Sequence, residues 1–231
     1  KGMLKEKDQF ITRTNKEDYI EQLQLEDRAI FPEIKSEYGK MNVENLMRYI
    51  FHNYPFYAIK SDIAEKILGK KELKKVKEAQ PKRRGTILFT IGYQGISPEE
   101  YLVRLLQHDI KVLVDVRNNP LSMKFGFSKN QLKTFCESLH IAYAHFPEVG
   151  IQSDERHGLS SRADYDKLFE KYRKENLPST KKVQKEILNL LIQSKRIALT
   201  CFEADVQQCH RKYLAEAIQK LPGFDYEVRH I

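Results

Sequence analysis

The apolar positions fall into two textures along the chain. After residue 85 they form short β-branched runs, "TILFTI" (86–91), "KVLVDV" (111–116), "IAYAHF" (141–146) and "RIALTCF" (196–202), with "FDYEVRHI" at the end. Between them lie longer stretches with helical spacing: "SPEEYLVRLLQHD", "SKNQLKTFCESL", "DYDKLFEKYRKE", "KKVQKEILNLLIQS" and "CHRKYLAEAIQKL". Short buried runs alternating with amphipathic ones predict a mainly parallel sheet covered on both faces, a Rossmann-like three-layer α/β domain over residues 86–231. Two helix starts carry their own signals. Ser97, Pro98 and Glu100 make an N-cap, a first-turn proline and a capping box, and Ser128 with Gln131 suggests a second box.

Before residue 85 the pattern is weaker. "KEKDQFITRT" reads as a hairpin or wing, and "ENLMRYIFHNY" and "SDIAEKIL" have helical spacing. Pro81 and Gly85 bracket a basic triplet in "QPKRRG", which marks a boundary. Residues 1–80 are therefore expected to form a small, mostly helical region of their own, related at most to a winged helix.

A parallel sheet puts its ligand crevice beyond the carboxyl ends of the strands. The residues that follow each predicted strand are polar or reactive: Gly92 and Tyr93; Asp115 and Arg117; His145 and Glu148; Cys201 and Glu203. They should share one edge. The Gly92–Gly95 turn leads into a capped helix whose free N–H groups suit an anion, and Arg117 offers a planar donor fork for phosphate or carboxylate. Asp115 could instead simply pair with Arg117. Glu203 is a candidate general acid or base. Cys209, His210 and Arg211 fall at a helix start, where thiols are acidified and anions are welcome. His210 reads equally as a catalytic group and as a brace for the helix. Cys201, Cys209 and a histidine are conceivable zinc ligands, but the paired C-x-x-C spacing is missing, and no metal is expected. Cys136 shares a helical face with Leu132, Phe135 and Leu139 and reads as core, and His52, His108 and His140 read as ordinary histidines.

Charge adds one possibility. The net charge is +8, and residues 66–84 hold nine Lys/Arg against two Asp/Glu. Such a run can release counterions from nucleic acid, although a solvated helix would look the same. Three cysteines give no disulfide framework. No apolar run spans a membrane and no signal-peptide pattern opens the chain, so a cytoplasmic protein is expected. The chain opens at Lys1 rather than Met, which leaves room for an upstream segment.

The blocks "FTIGYQGIS", "VDVRNNPLSMKFGFSK", "AHFPEVGI" and "CFEADVQQCHR" together resemble the family called domain of unknown function 488, over roughly residues 86–222. The resemblance implies a Rossmann-like domain with no settled activity. Its signature positions fall on Gly92, Asp115, Arg117, Pro120, Glu148, Gly150, Cys201, Glu203, Cys209, His210 and Arg211. Longer relatives carry a winged-helix-like module upstream, which would be cut short here, and a label of DNA repair attaches to some members.

Two functions follow as expectations. One is an enzyme acting on a phosphate-bearing nucleotide or nucleic-acid substrate, with Asp115, Glu203 and His210 as acid/base groups and Gly92, Tyr93, Arg117, Glu148, Cys201, Cys209 and Arg211 binding substrate. The other is a non-catalytic nucleic-acid binder or ligand sensor. A cysteine phosphatase is disfavoured by the absence of a Cys-x5-Arg loop. No cofactor is specified by these residues.

Overall fold

The computed structural model describes residues 4–7, 10–13, 20–22, 25–81, 85–152, 154–156 and 161–231. The chain begins with an antiparallel hairpin, β1 (Leu4–Lys7) and β2 (Phe10–Arg13), in which Leu4 faces Arg13. Helices α1 (Leu25–Tyr38) and α2 (Val43–Asn53) follow. Asn42 caps α2, its Oδ1 accepting the Asn45 amide at 2.8 Å. The "SDIAEKIL" stretch forms only one helical turn, α3 (Ala64–Ile67), because the backbone extends at Leu68 and re-enters helix after Gly69 as α4 (Lys70–Ala79). A small core of Phe51, Ala58, Ala64, Leu68 and Val76 holds these pieces together. The Lys82–Arg84 triplet lies outside the described residues.

The remaining elements alternate as the apolar runs predict: β3 (Ile87–Gly92), α5 (Pro98–Gln107), β4 (Val112–Asp115), α6 (Lys129–Ser138), β5 (Ala142–His145), α7 (Arg162–Lys171), the single turn α8 (Leu177–Ser179), α9 (Lys181–Ser194), β6 (Arg196–Cys201), α10 (His210–Gln219) and β7 (Glu227–His230). A π-helical stretch, Tyr172–Asn176, joins α7 to α8. The five strands form one all-parallel sheet in the order β5-β4-β6-β3-β7. Every residue of β3, β4 and β6 is buried, as central parallel strands require.

Strand order fixes the layers. The crossovers β3 to β4 and β4 to β5 travel one way across the sheet, and β5 to β6 and β6 to β7 travel the other. Because such crossovers are right-handed, the two groups of helices must cover opposite faces. They do: Phe89, Ile91 and Leu113 pack with Tyr101, Leu105, Leu132 and Cys136 of α5 and α6. Alternate residues Leu88, Val114, Ile197 and Leu199 pack with Leu168, Ile187, Leu191, Leu214 and Ile218 of α7, α9 and α10. The fold is a three-layer α/β domain with a helical N-terminal region. Its adjacent strands β4 and β6 send their chains to opposite faces, which opens a crevice between them at their carboxyl ends.

The two helix starts differ in detail from the sequence reading. Ser97 Oγ accepts the Glu100 amide at 3.0 Å, but the Glu100 carboxylate pairs with Arg104 rather than closing a box. Ser128 and Gln131 form no box either. Ser128 Oγ accepts from Ser122 N and donates to Ser122 O, and Gln131 Oε1 accepts the Gly126 amide. Both side chains are spent on the loop before α6.

Cys136 is fully buried beneath that face, and burial pushes its thiol up to about 12. The unfolded thiol ionises near 8.5, so the folded state holds a proton that the unfolded state releases. The stabilisation is complete below about pH 8.5 and is lost as pH rises towards the folded value, with a slope of up to about 1.4 kcal/mol per pH unit. Urea midpoints measured from pH 8 to 10.5 should fall less steeply for Cys136→Ala than for the unaltered chain. Parallel slopes would show that this thiol ionises freely in the fold.

Candidate functional site

The crevice is built from the carboxyl ends of β3, β4 and β6 and from the loop 116–128, which is longer than a β-to-α connection needs. Asp115, the last residue of β4, is fully buried and points to the α5/α6 side. Arg117 wraps back onto it: Nε donates to Oδ1 at 2.8 Å and to Oδ2 at 3.1 Å, Nη2 donates to Oδ2, and the Arg117 amide donates to Oδ1. Tyr143 OH donates to the same carboxylate. Arg117 Nη1 donates to Tyr93 OH at 2.7 Å and to Phe127 O at 2.9 Å. Burial opposes the charge on Arg117, but the Asp115 carboxylate outweighs it and holds the guanidinium more firmly protonated than usual. Burial, reinforced by the Asp115 charge, likewise drives the Tyr143 hydroxyl well up. The alternative of a salt bridge between Asp115 and Arg117 is therefore the arrangement present, and it leaves Arg117 one Nη2 hydrogen beyond these bonds.

Tyr93 completes this wall. It stacks on Phe127 with ring centroids 4.3 Å apart, and it meets Phe202 edge-on at 5.3 Å. The first amides of the Gly92–Gly95 turn are taken up by backbone. Tyr93 N and Gln94 N both donate to Phe202 O, at 3.1 and 2.8 Å, so these amides are used in joining β3 to the loop after β6. Gly92 has a different role. A Cβ there would lie 1.8 Å from Glu203 O, so only glycine lets the two strand ends approach.

Arg211 lies behind the same loop. It is 1% exposed, donates from Nη1 to Glu203 O and from Nη2 to Ala204 O, and faces the backbone rather than the crevice. Its function here is to hold the segment that carries Glu203. His210 opens α10, fully buried, and its Nε2–H donates to Val116 O at 3.0 Å, which ties the helix start to the end of β4. With Nε2 turned to this carbonyl, Nδ1 faces the two sulfurs. Cys201 Sγ lies 3.7 Å from Nδ1 and Cys209 Sγ 3.9 Å. Cys201 also donates to Glu203 Oε2 at 3.2 Å. The helix start that the sequence reading expected to acidify a thiol is offset at Cys209, where burial pushes the ionisation well up.

A cavity of about 480 Å³ occupies the crevice. Its wall includes Tyr93, Arg117 and Cys201 from the predicted strand ends, and Phe202, which the sequence reading did not single out. Asn118, Asn119, Ser122 and Lys124 of the loop 116–128, with Ile151, were not singled out by that reading. The length of this loop and the apolar residues at its tip, Leu121 (75% exposed) and Met123 (fully exposed), were the signals available for them. Lys124 Nζ donates to Tyr93 O at 3.0 Å, which anchors a cation at the cavity wall. Asp115 and Arg211 stand behind the wall rather than in it. Glu148 is exposed on the turn Pro147–Val149, away from the cavity, and its carbonyl accepts from Asn176.

Removing the charge at Asp115 leaves Arg117 buried without its counter-ion, which typically costs about 3–5 kcal/mol. Asp115→Asn should lose stability on that scale in urea titrations, whereas Asp115→Asn combined with Arg117→Met should lose clearly less than the two single changes added together. Additivity within about 0.5 kcal/mol would mean that the pair is not coupled.

No curated protein and no solved structure matches this chain. The family model described as domain of unknown function DUF488 matches residues 97–218, just over half of the chain and most of the sheet, including Arg117, Cys201, Glu203 and the Cys209–Arg211 helix start. The chain belongs to the DUF488 family.

Proposed function

We propose that the crevice between β4 and β6 binds a small phosphate-bearing molecule of the nucleotide class and that the protein is an enzyme acting on it. One observation carries this reading. Among the described residues, the cavity wall holds two cations, Arg117 and Lys124, with the amides Asn118 and Asn119 and no carboxylate. A volume of this size suits a small ligand, and the lining selects for negative charge. In this reading Lys124 and the last Arg117 N–H take the anion. Glu203, beside the cavity through its contact with Cys201, supplies acid/base chemistry. Asp115 and His210 then act as positioning groups, the first for Arg117 and the second for α10.

The test is thermal melting with a nucleoside 5′-monophosphate, the matching nucleoside and inorganic phosphate. At a hundredfold excess over Kd the nucleotide should stabilise the fold by about 2.7 kcal/mol, and the nucleoside by far less. Lys124→Ala should remove most of the shift. Equal shifts from nucleotide and nucleoside, or none from either, would overturn the reading.

A second reading rests on α4. Lys70, Lys71, Lys74, Lys75 and Lys77 are all exposed on this one helix, while Val76 is buried in the small core. We take residues 1–80 as a region separate from 86–231 whose basic helix contacts nucleic acid. Duplex affinity should then fall steeply with added salt, with a slope reduced by replacing Lys70, Lys71, Lys74 and Lys75 with Ala. An absence of binding at low salt, or an unchanged slope, would make this helix a solvated face.

A further inference from the structure

Three buried side chains with the chemistry of a metal site converge behind the crevice, and one of them, Cys201, reaches its wall. β6 ends at Cys201, the turn Val206–Gln208 folds the chain back, and Cys209 and His210 arrive at the start of α10. Their ligand atoms, two Sγ and the imidazole Nδ1, all lie within 4.8 Å of one another. Tetrahedral zinc with Zn–S near 2.3 Å and Zn–N near 2.0 Å places sulfur and nitrogen about 3.6 Å apart. The two sulfur-to-nitrogen separations here, 3.7 and 3.9 Å, depart from that by a few tenths of an ångström.

The surroundings match as well. A metal-bound histidine usually donates its other ring N–H to a carbonyl or carboxylate, which orients the ring. His210 does so to Val116 O. Two thiolates and an imidazole favour zinc over hard cations such as magnesium or calcium. The spacing Cys-x7-Cys-His lacks the paired cysteines by which zinc sites are read from sequence, and so it gives little signal there.

We infer that Cys201, Cys209 and His210 form a three-ligand site for a zinc-class divalent cation, with the fourth position turned towards the crevice. Cys201 reaches the cavity wall, so the ion is accessible from it. The Glu203 carboxylate touches Cys201 Sγ at 3.2 Å but does not belong to the converging set. It stands beside the open position, where it can accept a hydrogen bond from a water on the ion. A site with three protein ligands and one open position is the pattern of catalytic rather than structural zinc. The inference does not depend on the phosphate-ligand reading, because the ion is measured with no ligand present.

Full-length protein prepared with chelator, then titrated with Co²⁺, should develop a thiolate-to-cobalt charge-transfer band with the strong d–d absorption of tetrahedral geometry. Zn²⁺ should displace it at stoichiometric addition, and the melting temperature should rise with either ion. Cys209→Ser and His210→Gln should weaken binding by at least about tenfold, the scale seen even for losses beyond the ligands themselves. Glu203→Gln should keep the band. If folded, reduced, unaltered protein gives no charge-transfer band, the site does not bind metal, whatever the variants do. A band retained in full by folded Cys209→Ser would place the ion elsewhere and overturn the assignment. Loss of the nucleotide melting shift with the cobalt band intact would count against the earlier reading alone.

Discussion

The buried ion pair of Asp115 and Arg117 is the constraint around which the carboxyl edge of the sheet is organised. Both groups are almost wholly removed from water, a placement that costs several kcal/mol per charge unless every hydrogen-bonding position is met. All but one Arg117 Nη2 hydrogen are met, with partners from three directions beyond the pair itself: Tyr143 on β5, Tyr93 after β3 and the Phe127 carbonyl before α6. One pair thereby ties three parallel strand ends to the loop that forms the cavity wall. His145 extends the same network. Its Nε2–H donates to Arg117 O, and its Nδ1 accepts from Lys129 at the start of α6.

A second set of contacts holds the other side of the crevice. Phe202 O receives two amides from the turn after β3, while Glu203 O and Ala204 O receive the buried Arg211 guanidinium. Gly92 allows this loop to lie directly against β3. Gly150 does the same at the opposite side, where a Cβ would meet Asn118 N at 2.2 Å. Polar groups that look like ligand-binding elements in isolation are consumed in fastening backbone to backbone. A frame of this kind keeps Lys124, Cys201 and Glu203 in fixed relation, as a chemical site requires.

The two faces of the sheet contribute different chemistry to one volume. The α5/α6 side brings Arg117 with its aromatic neighbours Tyr93 and Phe127. The α7–α10 side brings Cys201, Cys209 and His210, with Tyr172 packed edge-on against the histidine. β6 lies between β4 and β3 and sends its chain to the face opposite to theirs, so both faces reach the carboxyl edge side by side. The strand order thus sets the cationic wall of Arg117 and Lys124 beside Cys201, with Cys209 and His210 buried behind it.

The sequence alone determined the alternation of elements after residue 85, because central parallel strands must be apolar on both faces and their helices apolar on one, and the resulting periods of two and 3.6 are local. It also placed the reactive residues at strand ends, since topology puts them there whatever their partners. The family was legible for a similar reason, as its blocks are contiguous in the chain. What each side chain touches was decided only by tertiary structure. Whether Arg211 meets a ligand or the Glu203 carbonyl depends on how closely β3 and the loop after β6 approach, and that depends on Gly92, more than a hundred residues away. Ser128 and Gln131 had the pattern of a capping box, but the loop 116–128 competed for their hydrogen bonds and won. Cys201, Cys209 and His210 had no recognisable spacing and meet in space because a short turn reverses the chain between them. Local pattern records what an element must bury. It holds no record of the long-range hydrogen bonds and backbone approaches that assign its polar groups to structure or to a site.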